Sequence, residues 1–248
     1  MLNTRPVLAG ICLGSLIYKP HLGLVIPVAL IAARRWRVFA AATASAVGTC
    51  ALSYAAFGAP AWQAFYEFSA KARETLEHGI VGDAKMQSLF AAVRLLGGDL
   101  TLAYSLQTLL VIGVCTALVL LQRREFRSGA EGPALVAAAL LASPFLLDYD
   151  LTLLAIPLAW CAREGLRAGF QPYEKTLLAA GFILPLLSRS IATSLGLPLA
   201  PLVLVALFLL VLQRGGFDFR GHIPLAFTTG RWHCARPPRA AQLQPPPP

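Results

Sequence analysis

The chain has 248 residues, 57% hydrophobic and 13% charged, with a mean hydropathy of +0.65. Soluble domains carry about a quarter charged residues, and a domain of this size could not bury so many apolar runs, so the composition excludes an ordinary soluble fold and predicts a polytopic membrane protein. The net charge of +9 would point to nucleic acid in a soluble chain; here the basic residues cluster in short loops between apolar runs, as the positive-inside rule describes, and no nucleic-acid partner is expected.

The N-terminal stretch RPVLAGICLGSLIY resembles a secretory signal, and LAGIC approaches a lipoprotein cleavage site. Ile11, however, occupies the small-residue position before Cys12, and further apolar runs follow at once, so the stretch reads as an uncleaved membrane segment. Apolar segments are expected at 7–18, 22–33, 38–57, 100–121, 133–147, 150–161, 176–187 and 198–212. Of these, 38–57 and 100–121 approach the ~20 residues that span a bilayer comfortably. Twelve helical residues reach only ~18 Å, short of a ~30 Å hydrocarbon core. The corners between short helices then lie within or near the membrane and should line a protein-walled cavity, because lipid-facing backbone cannot be irregular.

The basic clusters RRWR (34–37), RREFR (123–127), Arg163, Arg167 and Lys175, then Arg214 and Arg220, fall on alternate sides of successive segments, so all can be cytoplasmic at once. That assignment puts the corners at 143–150 and 188–197 and the loop 58–98 on the outer face. A hairpin of 7–18 and 22–33 would place Lys19, Pro20 and His21 there too. A single kinked helix would place them mid-membrane. The hairpin also puts Arg5 inside and is the reading adopted.

The 58–98 loop is expected to be structured. In PAWQAFYEFSAKARETLEH, Trp62, Phe65, Tyr66 and Ser69 share one helical face, and Glu67 with Lys71 and Arg73 with Glu77 are i,i+4 pairs. This predicts an amphipathic helix in the headgroup region, aromatics inward. After GIVGD, the stretch KMQSLFAAVRLLGG predicts a second short helix closed by Gly97 and Gly98. Residues 215–248 have no apolar period and end in prolines, which predicts a disordered tail. Cys12, Cys50, Cys115 and Cys161 lie in apolar runs and Cys234 in the tail. No CxxC or metal-ligand spacing appears, and His222, His233 and Cys234 do not form a credible metal site.

Three corners carry chemistry. In LLASPFLLDYDLTLLAIPLAW, Pro144 breaks one run, and Asp148, Tyr149 and Asp150 precede the next. A carboxylate at membrane depth is expensive and points to function. An Asp before a helix is also an ordinary N-cap, and Asp150 suits that role. Capping does not account for the second carboxylate. At the first corner Lys19 could snorkel into the headgroups, and Pro20 could simply start a helix. Lys beside His at a helix start instead favours an anion, phosphate above all. In LLSRSIATSLGLP, Arg189 between two serines could meet a phosphate or a lipid headgroup. No Walker, GxGxxG, HExxH or GxSxG motif is present.

The stretches GxxLGxLIYKPHLGLxIPxALIAARRWR, FGAPAWQAF, LFAAVRLLG, LLASPFLLDYDLTLLAIPLAWCAREG and LPLLSRSIATSLGLPLAPLVL resemble bacterial glycosyltransferase family 87, mannosyltransferase-like membrane proteins of the GT-C type, over about residues 5–213. The resemblance implies an inverting hexosyl transfer, with mannose the foremost candidate. The donor would be a polyprenyl-phosphate sugar, the acceptor a glycan or glycolipid, and the site the outer face of a bacterial plasma membrane. No cofactor or metal is implied. Lys19 and His21 match the KP(H/Q) motif and would hold the donor phosphate, joined by Arg189. Asp148, Tyr149 and Asp150 match the DYD motif and would bind sugar or acceptor, the two aspartates being the catalytic candidates.

GT-C enzymes place their catalytic carboxylate in the first outer loop, and the chain starts at what looks like the middle of the family sequence. Residues 1–214 are therefore expected to be the C-terminal portion of such an enzyme, with little transferase activity by themselves. The expected fold is an all-α polytopic bundle of about eight short or broken membrane helices with an outer helical loop. A multi-pass transporter or lipid flippase is the alternative, since broken helices with charged corners suit transporters as well. A non-catalytic membrane remnant is the third reading.

Overall fold

The computed structural model describes residues 5–80, 82–122 and 129–217. Among these, every regular element is a helix, apart from an isolated antiparallel bridge between Met86 and Leu147. The basic run 123–127 and the tail beyond residue 217, with Arg220, His222, His233 and Cys234, lie outside the described residues.

Helix α1 (Pro6–Gly14) starts on a proline, whose missing N–H costs nothing at a first position. It tightens into a 3-10 turn, Ser15–Tyr18, and stops at Lys19. Lys19 has φ −129° and ψ 71° because the ring of Pro20 excludes it from the helical region. A second 3-10 turn, Pro20–Gly23, leads into α2 (Ile26–Ala32). The long α3 (Trp36–Glu77) bends at Gly58, where φ 72° and ψ 178° suit glycine, and restarts with Pro60 in its first turn. The expected break after residue 57 is therefore present, as a kink at Gly58 where two helical stretches meet.

Alpha-1 lies directly on α3. A Cβ on Gly10 would stand 2.6 Å from the Ala41 methyl and from the Val38 carbonyl, and one on Gly14 would overlap the Ala42 carbonyl. Small residues one turn apart thus let two backbones touch. Because Gly10 meets 38–42 and Gly14 meets 42–45, the two helices run parallel. The chain must return between them, and α2, packed on α3 and α5, makes that return. Lys19 to His21 is accordingly a corner between helices.

After α3, the short α4 (Leu89–Leu95) is capped by Ser88, whose Oγ accepts the Ala91 N–H at 3.1 Å. Next come α5 (Leu100–Gln122), α6 (Glu131–Ala142), a 3-10 segment Asp148–Leu154 and α7 (Ala155–Ala168). The chain then forms α8 (Glu174–Leu195) and α9 (Ala200–Arg214). The elements Trp36–Glu77, Leu100–Leu121 and Glu174–Leu195 are long and apolar enough to cross a membrane; Pro6–Tyr18, Pro20–Ala32, Glu131–Ala142 and Ala200–Arg214 are apolar but shorter. The protein is an all-α membrane bundle.

Alpha-8 corrects the sequence reading in length. The Ser-Arg-Ser triplet at 188–190 does not end it, because these residues cost a helix only tenths of a kcal/mol. The stop is Gly196, left-handed at φ 64°. Alpha-6 is shorter than expected, ending at Ala142 before Ser143 and Pro144. Of the two surface pairs expected after the bend, Arg73–Glu77 forms at 2.9 Å, and no Glu67–Lys71 pair does among the described residues. The Trp62 and Phe65 rings lie 6.5 Å apart at a tilt of 58°, but Phe65 and Tyr66 are exposed. Cys12 is exposed and only Cys161 of the described cysteines is fully buried.

Candidate functional site

The 143–150 corner is fastened from three sides. Proline 144 holds Ser143 extended (φ −78°, ψ 118°), which ends α6 and leaves its last carbonyls without helical partners. The amide of Gln107, buried in α5, donates to the Leu141 carbonyl at 3.0 Å and the Ala142 carbonyl at 3.4 Å. Its Oε1 accepts the Phe90 N–H, at 3.1 Å, from the first turn of α4. One glutamine thus satisfies a helix end and a helix start. Beyond Pro144, the Gln87 N–H donates to the Leu146 carbonyl at 2.7 Å. The segment after α3 is thereby tied to the corner.

On this platform the Lys19 corner and the last turns of α8, which carry Arg189, converge. Lys19 Nζ is ion-paired and hydrogen-bonded to Asp150 Oδ1 and lies 4.3 Å from the centroid of the Tyr149 ring. The other oxygen of Asp150 accepts the Leu147 N–H at 3.2 Å. Asp150 therefore does two things: it caps the 3-10 turn and it anchors a cation. At 4% exposure it is buried. Asp148 is more open and faces Arg189, whose Nη1 is 3.5 Å from Oδ2. The His21 ring meets Phe145 edge-on at 6.4 Å. Its Nε2 is buried and, like the hydroxyls of Ser143 and Ser188, has no hydrogen-bond partner among the described residues.

Lysine offers three N–H donors, so Lys19 can keep Asp150 and still bind an anion. Arg189, half exposed, and His21 supply further donors. Asp148 is the carboxylate left most accessible, Tyr149 is exposed beside it, and the ring of Tyr149 already carries the Lys19 cation. The cluster can therefore pair an anion with a polar, hydroxyl-bearing group in one small space.

The far end of the bundle is built differently. Arg35 pairs with Glu131 at 2.5 Å. Arg214 pairs with Glu174, both buried, and also donates to the Gly169 carbonyl at 2.7 Å. Along α8, Glu174 and Arg189 are about 22 Å apart at ~1.5 Å per residue.

A family model, glycosyltransferase family 87, matches residues 1–147, more than half of the chain. The chain belongs to that family. No curated protein and no solved structure matches. Family membership favours a membrane glycosyltransferase over a transporter. The matched stretch of this family-87 glycosyltransferase contains Lys19 and His21 and ends at Leu147, one residue before Asp148. The DYD corner and Arg189 join the matched part through the ion pairs Lys19–Asp150 and Arg189–Asp148.

All six residues singled out from the sequence lie in this region of the glycosyltransferase. The sequence reading missed Gln107 and Phe145. Gln107 carried a usable signal, as a primary amide alone in an apolar run that must find partners when buried. Phe145 carried none, because an aromatic in an apolar corner is ordinary.

Proposed function

We propose that this glycosyltransferase moves a hexose, with mannose the foremost candidate, from a polyprenyl-phosphate sugar to a glycan or glycolipid acceptor at the Lys19–Asp150 end of the bundle. The supporting observation is that cluster: one cation from the Lys19 corner and one from α8, paired with the two carboxylates of the 143–150 corner. Lys19, His21 and Arg189 hold the donor phosphate, and Asp148, Tyr149 and Asp150 contact sugar or acceptor. Asp148, the more open carboxylate, is the candidate base, while Asp150 keeps Lys19 in place.

In the reaction the acceptor hydroxyl oxygen bonds to the anomeric carbon on the face opposite the phosphate. The bond from that carbon to the phosphate oxygen breaks, and its electron pair leaves with the lipid phosphate. The hydroxyl proton passes to the Asp148 carboxylate. The cations stabilise the charge that grows on the departing phosphate. The orientation that suits this chemistry is the cluster facing outward across a bacterial plasma membrane. Arg35, Arg163, Arg167 and Arg214, which lie toward the opposite end, support it by the positive-inside rule.

The test is transfer of labelled mannose from polyprenyl-phosphate mannose to extracted membrane glycolipid, with the full chain in proteoliposomes. Transfer that depends on both Lys19 and Asp148 is the expected result. Transfer unaffected by Lys19→Ala and by Asp148→Ala would overturn the residue roles. Transfer only from a nucleotide sugar would overturn the donor.

A further inference from the structure

The kink in α3 builds a concavity of its own. A cavity of about 360 Å³ is lined by Tyr54 and Ala59 and, past Pro60, by Trp62, Gln63, Tyr66 and Glu67. In a straight helix Tyr54 and Trp62, eight residues apart, would stand about 12 Å from each other along the axis. The left-handed backbone at Gly58 turns the chain between them, and their ring centroids lie 6.3 Å apart with the planes at 66°. Trp62 and Tyr66 are one turn apart on one face, and so are Gln63 and Glu67 beside them. The kink thus sets an aromatic corner next to a polar row. Among the described residues the side chains of Gln63 and Glu67 make no hydrogen bond or ion pair. Glu67 gives the lining its charge, and Arg73, further along the helix, is taken by Glu77 at 2.9 Å.

We propose that this cavity binds an alkylammonium group, held by the rings of Tyr54, Trp62 and Tyr66 and by the carboxylate of Glu67. Aromatic faces attract a cation through their quadrupoles, tryptophan most strongly, and an alkylated ammonium also lays its carbon surface against them. Glu67 supplies the counter-charge, and the Gln63 carbonyl can accept from an N–H or a hydroxyl on the same ligand. A belt of aromatics at a membrane interface would account for the rings. It does not account for a carboxylate left without a cation in a chain of net charge +9. The ammonium can come from the headgroup of an ethanolamine or choline phospholipid or from a soluble amine. Residues 36–57 of α3 make about 33 Å of helix, enough to cross a ~30 Å hydrocarbon core. The kink then falls at the depth of the headgroups, within reach of both sources.

The test uses the full chain, labelled with 5-fluorotryptophan, in phosphatidylglycerol nanodiscs, which carry no ammonium. The fluorine NMR signal of Trp62, assigned by its loss in Trp62→Phe, is followed as choline chloride is added. A saturable shift is expected. Tyr54→Leu and Glu67→Gln should each raise the half-saturating choline concentration roughly tenfold, with the thermal midpoint unchanged. If Tyr54→Leu does not fold, Glu67→Gln decides alone, since Glu67 is exposed. Replacing part of the phosphatidylglycerol by phosphatidylethanolamine, without choline, separates the sources. The same shift identifies the lipid headgroup as the ligand, and a shift with choline alone identifies a soluble amine. No saturable shift with either probe overturns the proposal, as does an equal shift with sodium chloride at matched ionic strength. Half-saturation unchanged in the folded variants overturns it too. Saturation by methyl mannoside in place of choline would make the cavity a neutral sugar platform and overturn the ammonium reading.

Discussion

Lys19 and Asp150, 131 residues apart in the chain, form the ion pair that joins the Lys19 corner to the 143–150 corner. A cation between two apolar helices and a carboxylate at the mouth of another would each be costly alone, and each removes the other's cost. Lys19→Ala leaves Asp150 buried without its partner, and a loss of about 1–3 kcal/mol is expected for such a group. The double variant Lys19→Leu with Asp150→Leu should recover part of that loss, because an apolar pair can replace a buried ion pair with little penalty. Transfer should not recover. Thermal unfolding and transfer assays on the two single variants and the double variant check both halves. If the double variant regains activity with stability, the pair is structural only.

Arg189 and Asp148 behave differently because they are more exposed. Arg189→Ala should change stability by less than about 1 kcal/mol, as exposed pairs do. Its effect on transfer should be far larger, about a hundredfold, if the guanidinium meets charge that develops on the phosphate. Arg189→Lys should recover only part, since an ammonium does not reproduce the two-pronged geometry. Steady-state kinetics with the thermal midpoint recorded alongside separate these outcomes. A parallel fall in both would place Arg189 among structural residues.

The cluster was legible in the sequence through cost. Lys19, His21, Asp148, Asp150 and Arg189 are expensive in apolar surroundings, and their expense marks them before any geometry is known. Proline punctuation at Pro20 and Pro144 placed the corners correctly, because a proline constrains the residue before it whatever packs around it. The full length of α8 was not legible. Ser188, Arg189 and Ser190 look like loop residues, but helix propensities differ too little to break a helix already held by packing, and only Gly196 does so. The pairing of corners was not legible either. Nothing local tells Lys19 that its partner is Asp150; that contact follows from α1 lying parallel on α3 and from α2 returning between them. The contact of Gly10 and Gly14 with α3 has a sequence signature only in retrospect, as two small residues four apart.

Gln107 should matter beyond its own side chain. Gln107→Leu conserves much of the volume and strands the Phe90 N–H and the Leu141 carbonyl, each worth about 1–3 kcal/mol when buried. Gln107→Glu keeps an acceptor for Phe90 and loses the donor to α6. It should therefore retain amide-exchange protection at Phe90 and still loosen the 143–150 corner. Hydrogen exchange at Phe90 against transfer activity distinguishes the two connections. Equal exchange in both variants would show that Gln107 does not hold the start of α4.

Gly14 and Gly48 form an internal control for the α1–α3 contact. Gly14→Ala puts a methyl against the Ala42 carbonyl, whereas a Cβ at Gly48 meets nothing within 4 Å. The first should lower the thermal midpoint and disturb Lys19, which sits at the end of the same rod. The second should leave it unchanged or raise it, since alanine is better than glycine in a helix by up to about 1 kcal/mol. Equal effects would mean that α1 slides on α3 at little cost.

The Arg214–Glu174 pair tests whether the two ends of the bundle are energetically separate. Glu174 accepts from Arg214 Nε and Nη2 and from the Gln171 N–H at 2.7 Å, with no exposed surface on its side chain. Glu174→Ala leaves a buried guanidinium that keeps only the Gly169 carbonyl, and breaking a buried pair costs about 3–5 kcal/mol. The variant should unfold at a clearly lower temperature than Arg189→Ala. Below that temperature its transfer rate should be close to the unsubstituted rate, because about 22 Å of α8 separates it from Arg189. An activity loss at temperatures where the fold is intact would show that α8 carries strain from one end to the other. Recovery by Glu174→Gln with Arg214→Met would then establish that the buried charge pair, rather than its packing, transmits it.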